Sequence, residues 1–406
     1  MPATAPSLLL SAFCAVMPSL AVMASNWMPA AMAATALLAG LALWRDPSAR
    51  ARLAATMARG RPGWTAVLAV LLLAWAAIAS FWTFEVERAL FLALRLTVLA
   101  AIGAFLLALA LGLTREQRRR AGRWLVAGFV TGVALFLFER LTGSALHFLL
   151  ANPDPDRSVL STLNRGATGL TLLVWPVTAW LLRARLGRAA LALPAALFVL
   201  LLFSESQAAI LGTAAGLAMT LLALLVPRVG RLATLALLVL SILAAPLIAK
   251  QIYTPDAYSA GWIERNAQHR LHIWNFVADR VLERPLLGWG FDASHAMPAA
   301  GVQPFDNERR PLPAHPHNAA LQIWLELGLV GVVLAIGLLF AMLRDLERLR
   351  GTDRALATGL VVAALSVASV SYGIWQSQWI AALLGVAIAT VALRAEAGSD
   401  ETRERS

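Results

Sequence analysis

This 406-residue sequence is short of cysteine and of charge, and each shortage excludes something. Its single cysteine, Cys14, lies inside the first apolar run, so no intrachain disulfide and no thiol-rich metal site can form. Only 14% of residues are charged against 59% hydrophobic, with a mean hydropathy of +0.70. A water-soluble core cannot hide that much apolar surface, so lipid must be the solvent. No Lys or Arg precedes the first apolar run in MPATAPS and a second run follows almost at once, so no cleaved signal peptide is expected. There is also no soluble basic domain to present a duplex-sized patch. The net charge of +11 is therefore not read as nucleic-acid binding; membrane topology accounts for it.

What the chain does contain is apolar runs of about 17 to 25 residues, the length a helix needs to cross hydrocarbon while satisfying its own backbone. Spans are predicted near 7–23, 26–44, 64–82, 89–112, 124–140, 166–182, 189–203, 208–226, 232–249, 318–343, 355–373 and 376–393. The fold class is thus an all-α polytopic membrane protein of about 12 transmembrane helices, with residues 1–406 forming one integral membrane domain. Both termini fall on one side. The loops of that side, at 45–61, 114–123, 183–188, 227–231 and 344–354, together with the tail hold 22 of the 34 Lys and Arg. Basic residues resist transfer, so this side is expected to be cytoplasmic. All six histidines, His147, His269, His272, His295, His315 and His317, then fall at or beyond the outer boundary, where chemistry is expected.

One outer loop, about 250–316, is far longer than the rest, and loops of that length are usually functional or disordered. Within it 262–283 reads as an amphipathic helix with Ile263, Ala267, Trp274, Val277 and Val281 on one face. Arg270 falls within that apolar face, whereas Arg265, His272 and Glu283 lie opposite. The loop carries Lys250, Arg265, Arg270, Arg280, Arg284, Arg309 and Arg310, against the topological bias. Arg88 and Arg165 add two more outer arginines at span ends. Outer arginines suit either an anionic headgroup or a diphosphate, because the guanidinium fork matches phosphate oxygens. Two charges fall inside predicted spans, Arg95 in the fourth and Glu326 in the tenth, at similar depth. Unpaired intramembrane charges are costly, so the two are expected to meet. The acidic pairs Glu85-x-Glu87 and Asp154-Pro-Asp156 offer too few oxygens for a metal cage and are read as ion pairs with Arg88 and Arg157; no metal or other cofactor is expected. The tryptophans of Trp375-Gln376-x-Gln378-Trp379, at the last outer turn, are read as belt anchors.

The most specific stretch is HPHNAALQIWLELGLVGVVL. It sets His317 and Asn318 at the outer mouth of the tenth span, with Gly328 and Gly331 on one helical side, where another backbone can approach closely. A histidine at a helix N-terminus is disfavoured as imidazolium and can act as a base. His317-Asn318 followed by Gly328 and Gly331 resembles the signature of the O-antigen ligase and polymerase superfamily. Arg270-x3-Trp274 with Pro285-Leu286-Leu287-Gly288-Trp289-Gly290 resembles its outer-loop pattern, and Asn164-Arg165 and the turn from Ser204 to Gly212 fit its layout.

The resemblance implies a bacterial inner-membrane, metal-independent glycosyltransferase with a periplasmic site. Its donor would be O-antigen carried on undecaprenyl diphosphate and its acceptor a sugar hydroxyl of lipid A-core. His317 would be the general base; Arg165, Arg270, Arg265 and Arg88 would bind the diphosphate; Asn318, Trp274, Gly328, Gly331, Glu326 and Arg95 would support them. Displacement would invert the anomeric centre. Ligase fits better than polymerase, because no outer arginine is followed by glycine after ten residues. It fits better than protein O-oligosaccharyltransferase, because members of that class tend to be longer. A transporter of lipid-linked glycan is a contrasting reading, but no internal repeat is evident and most spans lack polar residues at mid-depth.

Overall fold

A computed structural model describes residues 4–59, 63–151, 160–184, 187–254, 264–298 and 312–393. Among them the chain is all helical. The helices are α1 (Ala5–Ala24), α2 (Met28–Arg45), α3 (Pro47–Arg59), α4 (Trp64–Ala79), α5 (Val86–Leu111), α6 (Arg115–Leu141), α7 (Ala145–Ala151), α8 (Leu160–Arg183) and α9 (Leu193–Leu201). They continue with α10 (Gln207–Leu225), α11 (Pro227–Leu243), α12 (Ala245–Ile252), α13 (Arg265–Glu283), α14 (Ala293–Ala296), α15 (Ala319–Leu346), α16 (Gly351–Val370) and α17 (Ser377–Ala392). Every predicted span coincides with helix. Seven helical stretches are long and apolar enough to cross a membrane, or eight if the bent pair α11 and α12 counts as one; α1 and α2 form one such stretch, broken at Ser25–Trp27.

Beyond the tenth span, which breaks at Gly328, and the twelfth, whose helix Ser377–Ala392 has only 16 residues, two spans differ from expectation. Residues 189–203 form a 3₁₀ turn, Arg188–Ala192, followed by the nine-residue α9, too short by itself to cross. The ninth span bends by 70° between α11 and α12. Pro246 supplies the reason: it has no N–H to offer the Ile242 carbonyl four residues back, and that carbonyl instead accepts the Trp324 indole N–H at 2.8 Å.

Packing divides into two buried clusters. In one, α1 lies against α6 and α8 and α10 against α16; a Cβ at Gly128 of α6 would stand 2.0 Å from the Ala15 carbonyl oxygen, so small residues set the separation. The other gathers α4, α5, α12, α13 and α15. Large apolar side chains such as Leu37, Val70, Phe91, Leu94 and Phe340 remain exposed around the outside. Such a surface is stable only in lipid, and the protein is a multi-pass membrane protein.

Candidate active site

His317 sits in the short segment that leads into α15, in a left-handed conformation (φ 54°). Asn318 caps the helix, its Oδ1 accepting the Leu321 N–H at 3.1 Å. The Trp274 indole on α13 donates to the Pro316 carbonyl at 2.9 Å, fixing the residue before the histidine. Nδ1 of His317 lies 2.7 Å from the Ser371 carbonyl, which can only accept, so Nδ1 carries the proton and the Nε2 lone pair is left open. Burial holds the His317 pKa below its ordinary value; the Ser371 bond opposes this, while the charges of Arg270 and His269 add to it. The His315 ring lies 4.2 Å from that of His317, tilted by 55°; it accepts the His317 backbone N–H on Nδ1 at 3.2 Å and has its Nε2 3.0 Å from the Gln376 carboxamide. Burial, then His317, pushes its pKa down to about 3.

α15 is not the continuous helix expected of the tenth span. Gly328 has φ 62° and ψ −162°, and the helix breaks there. Segment 285–290 enters the break: the Trp289 and Gly290 N–H groups donate to the Leu325 and Glu326 carbonyls at 2.8 and 3.1 Å, and the Trp75 indole to Leu327 at 3.0 Å. In return the Leu329 and Val330 N–H groups donate to Pro285 and Leu286 at 2.9 and 3.5 Å. Non-helical backbone survives between spans only where such partners exist. The close approach foreseen at Gly328 is therefore made by a loop at a break, and Gly331 faces Leu327 of its own helix. The positive φ at Gly328 is invisible to a helical-side reading of the two glycines.

The expected meeting of Arg95 and Glu326 does not occur. Arg95 is exposed, and Glu326, fully buried, draws on neutral donors: the Asp292 N–H (2.9 Å), Ser294 Oγ (2.5 Å), Gln322 Nε2 (3.0 Å) and Trp375 Nε1 (2.7 Å). Gln322 also accepts the Ile374 N–H at 2.9 Å. Glu326 thereby ties α15 to the 290–294 loop and to the 371–376 turn that presents the Ser371 carbonyl. Trp375 and Trp379 are not belt anchors: both are buried, Trp375 on Glu326 and Trp379 stacked on Tyr372 at 4.5 Å. Ser371, Gln322, Asp292 and Ser294 were missed by sequence reasoning, which named His315 only among the six histidines. Only the i, i+4 spacing of Gln322 and Glu326 could have flagged one of them.

The arginines divide. Arg270 is half-buried on the core-facing side of α13, its charge bearing on His317, and it makes no ion pair or hydrogen bond among the described residues. Burial lowers its pKa, with Glu264 opposing. Arg165, on α8, donates to Asn26 at 2.7 Å and its charge reaches Tyr372, the neighbour of Ser371. Arg265 is exposed at the start of α13. Arg88 is 2.7 Å from Asp292 and 3.7 Å from Glu85. Of the other cations between residues 250 and 284, Lys250 pairs with Asp279, Arg280 with Glu283, and Arg284 lies 4.0 Å over the Trp289 ring. Arg157, Asp154, Asp156, Ile263, Arg309 and Arg310 lie outside the described residues.

Comparison with known proteins bears on this geometry. A family model described as O-antigen ligase matches residues 190–336, a stretch that includes α13, His317 and the break at Gly328. A protein of Rickettsia bellii named as a candidate polysaccharide ligase is 33% identical over 282 residues, 67% of each chain. Proteins of the same description from Rickettsia conorii and Rickettsia typhi are 31% identical over 280 residues (67% of each chain) and 32% over 263 residues. The last match covers 63% of this chain and 64% of the relative, so the chain spans just under two thirds of that protein's length.

Proposed function

We propose, from the premise that the chain belongs to the O-antigen ligase family, that it transfers O-antigen from undecaprenyl diphosphate to a sugar hydroxyl of lipid A-core. The observation that carries this reading is the open Nε2 of His317, on an imidazole whose tautomer Ser371 sets, under the charge of Arg270, whose guanidinium makes no ion pair or hydrogen bond among the described residues. A base and an anion-binding group together are what attack on a diphosphate-linked sugar needs. The acceptor oxygen bonds to the anomeric carbon as the bond to the diphosphate oxygen breaks, inverting that carbon. The acceptor proton passes to Nε2 and the electron pair leaves with undecaprenyl diphosphate. Base catalysis of this kind is worth ~10²–10⁴ in rate. Arg270, with Arg165, whose charge reaches Tyr372, stabilises the charge growing on the leaving group. Arg88 and Arg265 would guide the lipid diphosphate inward from the rim.

On this reading both termini lie in the cytoplasm, all twelve apolar segments cross or enter the inner membrane, and residues 250–316 with His317 face the periplasm. The test is transfer to lipid A-core by purified protein given undecaprenyl-diphosphate glycan. Wild type should transfer and His317→Ala should not. Lengthening of the lipid-linked glycan instead would make the protein a polymerase; mere movement of the lipid across vesicles would remove the enzyme reading.

A further inference from the structure

At the end of α15 opposite His317, where α11 and α16 begin, lies a cavity of about 310 Å³, within the size range of ligand sites. Arg228 and Arg231 of α11, Arg344 of α15 and Arg354 of α16 line it. One carboxylate faces these four guanidinium groups: Glu347, 3.6 Å from Arg231, both side chains being about half exposed. Arg228, Arg344 and Arg354 make no ion pair among the described residues. A surface pair of this kind contributes little, so it does not close the site to another anion.

The apolar wall of the cavity is formed by Leu235, Phe340 and Leu343, and it does not end there. The same three residues open into a groove between α11 and α15 lined by Leu238, Val239, Ile336 and Leu339, with no charged residue in it. Phe340, 57% exposed, stands at the junction. Further along the seam the Trp324–Ile242 hydrogen bond joins the two helices. The cleft is thus cationic where it opens at the basic end of the bundle and apolar where it runs between two candidate spans.

We infer that this cleft is a binding site for an anionic phospholipid, its phosphate held by Arg228, Arg231, Arg344 and Arg354 and one acyl chain laid along the α11–α15 groove. Arginine recognises phosphate through fork geometry as well as charge, and a headgroup alone would leave the groove unused. A lipid here would brace α15 at the end remote from His317, independently of the reaction assigned to the other face.

The test measures lipid retained by the purified full chain in detergent, using native mass spectrometry with phosphatidylglycerol, phosphatidylcholine of the same chains, and glycerol phosphate as a tail-less probe. Wild type should prefer phosphatidylglycerol. Arg231→Gln with Arg344→Gln should reduce that preference by on the order of tenfold. Leu235→Trp, which narrows the groove with every charge in place, should weaken both lipids. Arg119→Gln, an exposed arginine of α6 outside the cleft, should change neither. If the double variant does not fold, Arg228→Gln alone supplies the charge arm. No preference in wild type, an equal loss in Arg119→Gln, or glycerol phosphate binding as tightly as phosphatidylglycerol would overturn the inference.

Discussion

Placing a single methyl group at Gly328 tests the helix break most directly. An ideal Cβ there would stand 2.4 Å from the Leu286 carbonyl oxygen, 2.5 Å from its carbon and 2.6 Å from the Gly288 nitrogen. All three are backbone atoms, so no side chain can swing aside. The conformation, φ 62° and ψ −162°, is itself close to glycine-only territory, worth about 1–3 kcal/mol of strain for another residue. Relief requires segment 285–290 to back away, stretching the bonds it exchanges with α15. Losing two or three of them adds about 1 kcal/mol each. Gly328→Ala should therefore destabilise by roughly 3–6 kcal/mol, read as a drop of roughly 5 °C or more in thermal unfolding of the purified protein in detergent. Gly288 meets the same contact from the other side, its Cβ position 2.7 Å from the Glu326 carbon and the Gly328 nitrogen. Gly288→Ala should behave alike, and the double variant should lose less than the sum, because one displacement relieves both clashes. Gly40 in α2, with nothing within 4 Å of its Cβ position, is the control: alanine there should be neutral or stabilise by up to ~1 kcal/mol. A Gly328→Ala protein that unfolds with wild type would refute the account of the break.

Glu326→Gln leaves one oxygen where four donors converge and turns an NH2 towards some of them, so it should cost about 2–4 kcal/mol and lower transfer by displacing the 371–376 turn; unchanged kcat in a folded variant would count against the positioning role. His317 must be neutral to act as a base and is neutral above its pKa. With that pKa held below the ordinary 6.5, the acid limb of kcat/KM should lie below pH 6.5. Arg270→Gln removes one of the lowering influences, so the limb should move to higher pH while KM for the diphosphate donor rises; an unmoved limb would separate Arg270 from His317. Trp274→Phe loses the bond to Pro316 and should reduce kcat by about tenfold with a stability cost near ~1 kcal/mol, whereas a change in stability alone would make Trp274 purely structural.

The helices were legible in the sequence because lipid imposes one rule on them all: a run of apolar residues long enough to cross. Each predicted span coincides with helix. The departures, the bend at Ala244 and the break at Gly328, depend on a distant partner. Pro246 announces that the Ile242 carbonyl has lost its donor but not that Trp324 will replace it. The amphipathic reading of 262–283 put Arg270 on the buried side of α13, where the structure has it half-buried, because helical periodicity alone decides which face a residue occupies. The pairing of Arg95 with Glu326 failed for a physical reason. Equal depth in two spans says nothing of rotation about each helix axis, and Glu326 turns inward to neutral donors while Arg95 turns out.

The two features hardest to read from sequence are one device. His317, in a left-handed conformation, has the carbonyl before it and the carbonyl that meets its ring both held from outside its own helix. Here Pro316 is held by Trp274 of α13, and Ser371 by a turn anchored through Gln322, Trp375 and Glu326. The segment that enters the break at Gly328 follows α13 directly and leads into Asp292 and Ser294, two donors to the same Glu326. Segment 285–294 and the turn before α17 are therefore referenced to one carboxylate, and His317 is held from that turn and, through Pro316, from α13. In His317→Ala the Trp274–Pro316 bond remains in place, so donor binding should persist there while transfer is lost; loss of both together would place the histidine among the binding groups instead.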